Sequence, residues 1–261
     1  MSAWHLDIVD VATIPQLPLS GFLPPAGLAE AGLAGDADDA LIDVPCFAFL
    51  LTSEHGTVLV DSGPDPARAA RAGFRACGQP RQAMLDALAK RGRGPGDVDV
   101  IVHTHLHYDH MQNDDLFSRA TIVVHQQEAR WAAGPDADEF CLSVADFLSA
   151  MADRLRLLDD ERDVLPGVRV LPTAGHTPGH QAVLVRTGPG EAGLACIAGD
   201  LVSLRANVRH IQPSCRDPVA VGAFLARAQR ESWRIIPSHD PDMRSGRPGP
   251  RPQGCGEMAG D

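Results

Sequence analysis

Lysine is nearly absent. Lys90 is the only one among 23 basic residues, and the arginines that make up the rest are scattered along the chain. With 34 acidic residues the formal net charge is −11. Phosphate backbones are bound by clustered cations, so nucleic acid is excluded as the main partner. There is no apolar run approaching the roughly 18 residues that a membrane-crossing helix needs. The opening MSAWHLDIVDVATIP lacks a basic segment ahead of an apolar one, and it does not read as a secretory signal. None of the six cysteines forms a CxxC pair, which sets aside a zinc ribbon or a disulfide framework and points to free thiols in a reducing cytoplasm. Tyrosine occurs once, at Tyr108.

What remains is a globular composition, 44% hydrophobic and 22% charged, long enough to bury a core. Residues 1–243 are expected to form one domain, and the Pro/Gly-rich stretch 244–261 a flexible tail. Short apolar runs at 47–51, 57–60, 98–102, 121–125, 168–172, 181–186, 194–198 and 234–237 read as strands. Helical spacing predicts helices over 81–90, 126–133 and 139–158, and a further one after Asp217-Pro218, which pairs an N-cap aspartate with proline in the first turn. The segment 15–39, rich in Pro, Gly and Leu, reads as a long ordered loop without a helix. Strands thus alternate with helices, and the unusual polar residues follow strand ends.

The most unusual stretch is HTHLHYDH at 103–110, four histidines and an aspartate in eight residues. Residues two apart in an extended segment point the same way, so His105 and His107 can aim at one point, with Asp109 and His110 facing a second point nearby. Imidazole and carboxylate suit zinc or another borderline divalent metal. Each ion needs three or four protein ligands, so two ions require more donors than this cluster holds. Three later strand ends supply candidates: GHTPGH at 175–180, Gly199-Asp200, and Ser238-His239. A lone histidine or aspartate in a loop usually caps or braces it. Four such places in one chain make that explanation insufficient for all of them.

HTHLHYDH, GHTPGH, AGD and PSHD, in this order and at intervals of 66, 24 and 39 residues from His110 to His176, Asp200 and His239, resemble the metal motifs of the metallo-β-lactamase fold superfamily. The resemblance implies a four-layer αββα sandwich with its site at one edge of two sheets. It implies two divalent metal ions, zinc or else iron, cobalt or manganese. His105, His107 and His176 are expected at the first position, Asp109, His110 and His239 at the second, with Asp200 and a hydroxide bridging them. It implies a bracing role for Asp61 behind the histidine loop, and a scaffold role for His180. His103 is assigned to packing or bracing and Tyr108 to a wall of the site. His5, His55, His125 and His210 are assigned no role.

Within the superfamily the chain is most similar to the N-acyl-homoserine lactonases, through HLHYDH with NDDLF after it, GHTPGHQ and PSHD. That likeness implies quorum-quenching hydrolysis of a small lactone or ester by a metal-bridging hydroxide, with Asp109 passing a proton to the leaving group and Asp200 holding the pair. Leu17, Leu19, Phe22 and Leu23 are expected to line an acyl-chain pocket, and a homodimer is compatible with the family. Two positions depart from the lactonase pattern: Ser203 stands where those enzymes carry tyrosine, and Met111 where they carry a small residue. Both are expected to face substrate. The alternatives are a phosphotriester or aryl-ester hydrolase of the methyl-parathion type, a thioester hydrolase like glyoxalase II, a mono-iron persulfide dioxygenase, and a binding module without activity.

Overall fold

The computed structural model describes residues 3–33, 40–188 and 193–245. A long first strand, β1 (His5–Pro18), runs antiparallel to β2 (Leu41–Ser53). Between them lie a single 3-10 turn at Leu19–Gly21 and a short helix, α1 (Pro25–Glu30). β2 folds back into β3 (Gly56–Val60) through Gly56, whose φ of +141° is available to glycine alone. Helix α2 (Pro66–Arg71) starts where the Asp65 carboxylate accepts the N–H groups of Ala67 and Arg68. The two-residue β4 (Cys77–Gly78) extends the edge of β1, and α3 (Pro80–Lys90) buries Met84 and Leu88.

Parallel strands follow: β5 (Val100–Val102) beside β3 and β6 (Thr121–His125) beside β5. Helices α4 (Gln126–Ala132) and α5 (Val144–Ala150) then lead to β7 (Leu155–Leu158), parallel to β6. The second sheet contains β8 (Arg162–Leu165), β9 (Val168–Pro172), β10 (Gln181–Arg186) and β11 (Leu194–Ile197). Helix α6 (Pro218–Arg230) returns the chain to β12 (Arg234–Ile236), parallel to β11. The sheets have orders β4-β1-β2-β3-β5-β6-β7 and β12-β11-β10-β9-β8.

Alternation along the strands builds the layers. On β2, Phe47, Phe49 and Leu51 face Val168, Val170 and Val183 of the second sheet, while Cys46, Ala48 and Leu50 face Met84 and Leu88 of α3. On the far side, Ala182, Cys196 and Ile235 pack against Val221, Phe224 and Ala228 of α6. The result is helices, sheet, sheet, helix: the αββα sandwich.

The structure corrects three expectations. The segment 15–39 is not one irregular loop, because its first residues complete β1 and Pro25–Glu30 is helical; residues 34–39 lie outside the described residues. The opening residues, to which the sequence reading assigned no strand or helix, form the longest strand pairing of the first sheet. The single helix expected over 139–158 is one helix of seven residues followed by strand β7, because Leu155–Leu158 is drawn into the sheet beside β6. Of the expected tail, Arg244 is ordered by an ion pair with Asp10, and residues 246–261 lie outside the described residues. Cys46, Cys77, Cys141, Cys196 and Cys215 are free thiols, and no described helix is long and apolar enough to cross a membrane.

One buried carboxylate ties α4 to both loops at the sheet edge. Glu128 Oε1 accepts the Leu106 N–H at 3.0 Å, and Oε2 accepts the Thr177 hydroxyl at 2.7 Å and the Gly179 N–H at 3.1 Å. Gly179 has to be glycine here, since a Cβ would collide with the Glu128 backbone. Replacing Glu128 with alanine leaves these donors buried and unpaired, each at a penalty of about 1–3 kcal/mol. Glu128→Ala is therefore expected to unfold in urea with stability lowered by about 3 kcal/mol. A loss below about 1 kcal/mol would show that the carboxylate is not a structural tie.

Candidate metal centre

The site begins with a strained aspartate. β3 ends at Asp61, whose φ of +59° lies in the left-handed region that a non-glycine residue seldom adopts. That turn points the carboxylate beneath the histidine loop. Oδ1 accepts the Thr104 N–H at 2.8 Å, and Oδ2 accepts the Thr104 hydroxyl at 2.9 Å and the His110 Nδ1–H at 2.8 Å. Burial opposes ionisation of Asp61, but His110 and His103 outweigh it and hold the carboxyl down at about 2.

His103 lies underneath, with Nε2 2.6 Å from Asp114 Oδ2; the other Asp114 oxygen accepts from Ser62 Oγ at 2.6 Å. Burial disfavours its charge, yet Asp114 and Asp61 raise its pKa to about 9. It braces the loop and does not enter the cavity.

The remaining imidazoles are oriented by what their outer nitrogens touch. His110 donates Nδ1–H to Asp61, and His239 donates Nδ1–H to the carbonyl of Pro45 at 2.7 Å. Each therefore turns its Nε2 inward. His239 Nε2 lies 3.1 Å from Asp200 Oδ1 and 3.5 Å from Asp109 Oδ2; His110 Nε2 lies 3.4 Å and 3.5 Å from the same two atoms. On the other side, His107 Nδ1 and His176 Nε2 approach to 3.2 Å, and His176 Nε2 is 3.6 Å from Asp200 Oδ2. His105 turns Nδ1 to the Thr104 hydroxyl, and its buried Nε2 has no hydrogen-bond partner among the described residues. Asp200 thus has one oxygen toward each group of imidazoles. Its carboxyl is disfavoured by burial, but His239 and His110 hold it far below the usual carboxylate range.

This arrangement fits divalent metal. Burial pushes His105 and His176 well below the ordinary imidazole pKa, which leaves their nitrogens uncharged as donors. Ligand atoms of His105, His107 and His176 lie within 4.8 Å of one another, and so do those of His105, His110 and Asp200. Neutral imidazole with carboxylate is a donor set for zinc and its neighbours.

A cavity of about 820 Å³ opens over these residues. Ile14, Leu17, Phe22, Val44, Phe74 and Phe140 give it an apolar wall, and Tyr108, stacked 5.0 Å from Phe74, completes that side. Ser203 is among the residues that line it. Met111 does not: a bridge to Gly63 turns it into the helix-side core with Met84 and Phe117. Leu23 is likewise buried away from the cavity, against Leu28 and Leu204, and Leu19 packs on the same cluster. His180 stands behind His105, tied to Thr173 Oγ1 at 3.0 Å. His125 caps α4, His210 pairs with Glu30, and His5 with Asp7.

Three residues near the site carry no sequence signal. Asp138 Oδ1 lies 3.3 Å from His107 Nε2, and its Oδ2 accepts from Arg216 at 2.9 Å; Arg216 in turn covers the Trp131 ring at 4.8 Å. Cys46 is buried beside Asp109 and His239, where burial pushes its thiol up to about 11. Gln212 lines the cavity and donates to the Asp200 carbonyl. All three come from segments distant in sequence from the motifs.

The same architecture occurs in known proteins. An N-acyl homoserine lactonase from a Bacillus species is 32% identical over 157 residues, covering 56% of this chain and 60% of that protein, so the match spans less than two thirds of the relative. Human Metallo-beta-lactamase domain-containing protein 1 is 29% identical over 209 residues, 79% of this chain and 66% of that one. Among solved structures, a quorum-quenching N-acyl homoserine lactone lactonase superposes with a TM-score of 0.73 over 95% of this chain and 96% of its own, at 22% identity, a level that speaks for the fold alone. The sequence profile of the metallo-beta-lactamase superfamily matches residues 41–244. On that match and on the sandwich described above, the chain belongs to the metallo-beta-lactamase superfamily.

Proposed function

We propose that this chain is a hydrolase that uses two divalent metal ions, most naturally zinc, to open a lactone or ester of the N-acyl-homoserine-lactone type. The observation that carries the reading is the Asp200 carboxylate, with Oδ2 toward His176 and Oδ1 toward His110 and His239. One carboxylate placed between two groups of imidazoles is suited to bridge. His105, His107 and His176 would hold the first ion, and Asp109, His110 and His239 the second. A metal pair supplies a water ionised near neutrality and a Lewis acid for the attacked oxygen.

The protein's own groups do the rest. Asp61 keeps the His110 Nδ1–H turned outward, so the opposite nitrogen stays available. Asp138 lies 3.3 Å from the outward Nε2 of His107, close enough to attract it electrostatically though without a hydrogen bond. Asp109 lines the cavity with a carboxylate able to carry a proton to the departing alkoxide. The apolar wall of Leu17 and Phe22 receives the acyl chain, and excludes water from the reacting carbonyl.

Three outcomes follow. Asp200→Asn is expected to abolish hydrolysis and lower bound metal from two ions per chain while leaving urea unfolding largely unchanged; full activity in this variant would remove Asp200 from the centre. For Asp138→Asn, metal affinity measured by competition with a chelator should weaken about ten- to hundredfold. Wild-type affinity there means Asp138 does not orient His107. Phe22→Ala should raise KM for a long-chain acyl lactone about tenfold more than for a short-chain one, roughly the effect of losing apolar contacts worth ~1.4 kcal/mol. Equal changes for both chain lengths would take Phe22 out of the acyl-chain contact.

A further inference from the structure

The two nitrogens of His107 face different surroundings. Nδ1 lies 3.2 Å from His176 Nε2, on the side of the metal positions. Nε2 points the other way and has no hydrogen-bond partner among the described residues, on a residue only 6% exposed. A buried polar atom without a partner is unfavourable. What stands beside this one is a carboxylate and a thiol. Asp138 Oδ1 is 3.3 Å from Nε2 and accepts the Cys141 S–H at 3.6 Å. One ligand atom from each of His107, Asp138 and Cys141 lies within 4.8 Å of the other two.

The connection between α4 and α5 builds this cluster. The Cys141 N–H donates to the Asp138 carbonyl at 3.2 Å and the Phe140 N–H to Asp138 Oδ1 at 3.2 Å, so one turn of chain brings the carboxylate and the thiol together. Asp138 Oδ2 accepts from Arg216 at 2.9 Å, which occupies that cation and leaves Oδ1 toward the histidine. The rings of Trp131 and Phe140 flank His107. His107 and Asp138 both line the large cavity, which gives an ion a way in.

We propose that His107, Asp138 and Cys141 form a third cation site, joined to the metal pair through the His107 ring, for a divalent ion that accepts sulfur, such as zinc, cobalt or cadmium. The inference goes beyond the hydrolase reading and requires no particular substrate. Imidazole, carboxylate and thiolate are each ordinary zinc ligands, and a water completes a four-coordinate shell. The thiolate disfavours magnesium and calcium, which take oxygen ligands. Binding releases two protons, one from the Cys141 sulfur and one from His107 Nε2, because the other ring nitrogen serves the first ion. The ring then carries a cation on each side, and the two ions repel. The site therefore fills only above two equivalents of metal per chain, and its occupant weakens the first position. Excess metal inhibits the enzyme.

Cobalt(II) is the probe, because a cobalt–thiolate bond gives a charge-transfer absorption in the near ultraviolet that nitrogen and oxygen ligands do not. Added to protein already holding two equivalents of zinc, one further equivalent of cobalt should produce that absorption. Cys141→Ser should lose it, and Cys141→Ala takes its place if the serine variant does not fold. Cys46→Ser, which removes the thiol beside Asp109 and His239, should keep it. In competition with a chelator, the third equivalent should be held about tenfold to hundredfold more weakly by Cys141→Ser. With an N-acyl homoserine lactone as substrate, zinc above two equivalents should slow the wild type about tenfold and leave Cys141→Ser at its starting rate. A wild type without the near-ultraviolet absorption, or an absorption that survives in Cys141→Ser, overturns the site. Equal zinc inhibition of both proteins, or of neither, overturns its inhibitory role. The hydrolase reading survives either result, since the pair is loaded before the probe is added.

Discussion

The carboxylate of Asp61 is the constraint on which the rest of the site depends. It is buried, held ionised by two histidines, and set in a left-handed backbone conformation that places both oxygens under the loop at 104–110. Without it the Thr104 amide and the His110 Nδ1–H would have no partner, and the loop would lose its support over the sheet. A strained, desolvated residue persists only where its surroundings over-determine it. Here the surroundings are β3, β5 and the hydrogen-bonded set of His103, Asp114 and Ser62, with His103 Nδ1 3.8 Å from the Asp61 carboxylate.

From that point the architecture explains the chemistry. Strands β3, β5, β9, β11 and β12 end at the same edge of the sandwich, and each end delivers one part of the centre: Asp61, the histidine loop, His176, Asp200 and His239. The edge is buried, but nearly every charge on it is paired. Glu128 closes the back of the loops and Asp138 flanks His107 from the solvent side. Low polarity keeps His105 and His176 uncharged, while carboxylates beside His110 and His239 raise theirs. A cation pair entering such a site exchanges one set of charge contacts for another, with little reorganisation of the protein.

Much of this was legible in the sequence because the relevant signals are local. Strand runs such as VRVLP and QAVLVR, the Asp217-Pro218 helix start and the motifs HTHLHYDH and GHTPGH each declare themselves within a few residues. What escaped depends on distant contacts. The polar alternation of His5–Pro18 becomes a strand only because β2 offers an edge to it. Leu155–Leu158 abandons a helical pattern because β6 recruits it. Met111 sits beside the histidines in sequence but is turned into the core by its bridge to Gly63. Asp138 and Gln212 reach the site from loops with no periodicity at all, and nothing local marks them.

The central claim is that seven side chains from four separate stretches of the chain hold a pair of metal ions. An anomalous difference map collected at the zinc absorption edge from crystals of the zinc-loaded protein tests it most directly. Two peaks about 3.5–4 Å apart, one among His105, His107 and His176 and the other among Asp109, His110 and His239 with Asp200 between them, are the predicted result. A map with no peak among these residues, or with zinc held elsewhere on the chain, would contradict the account.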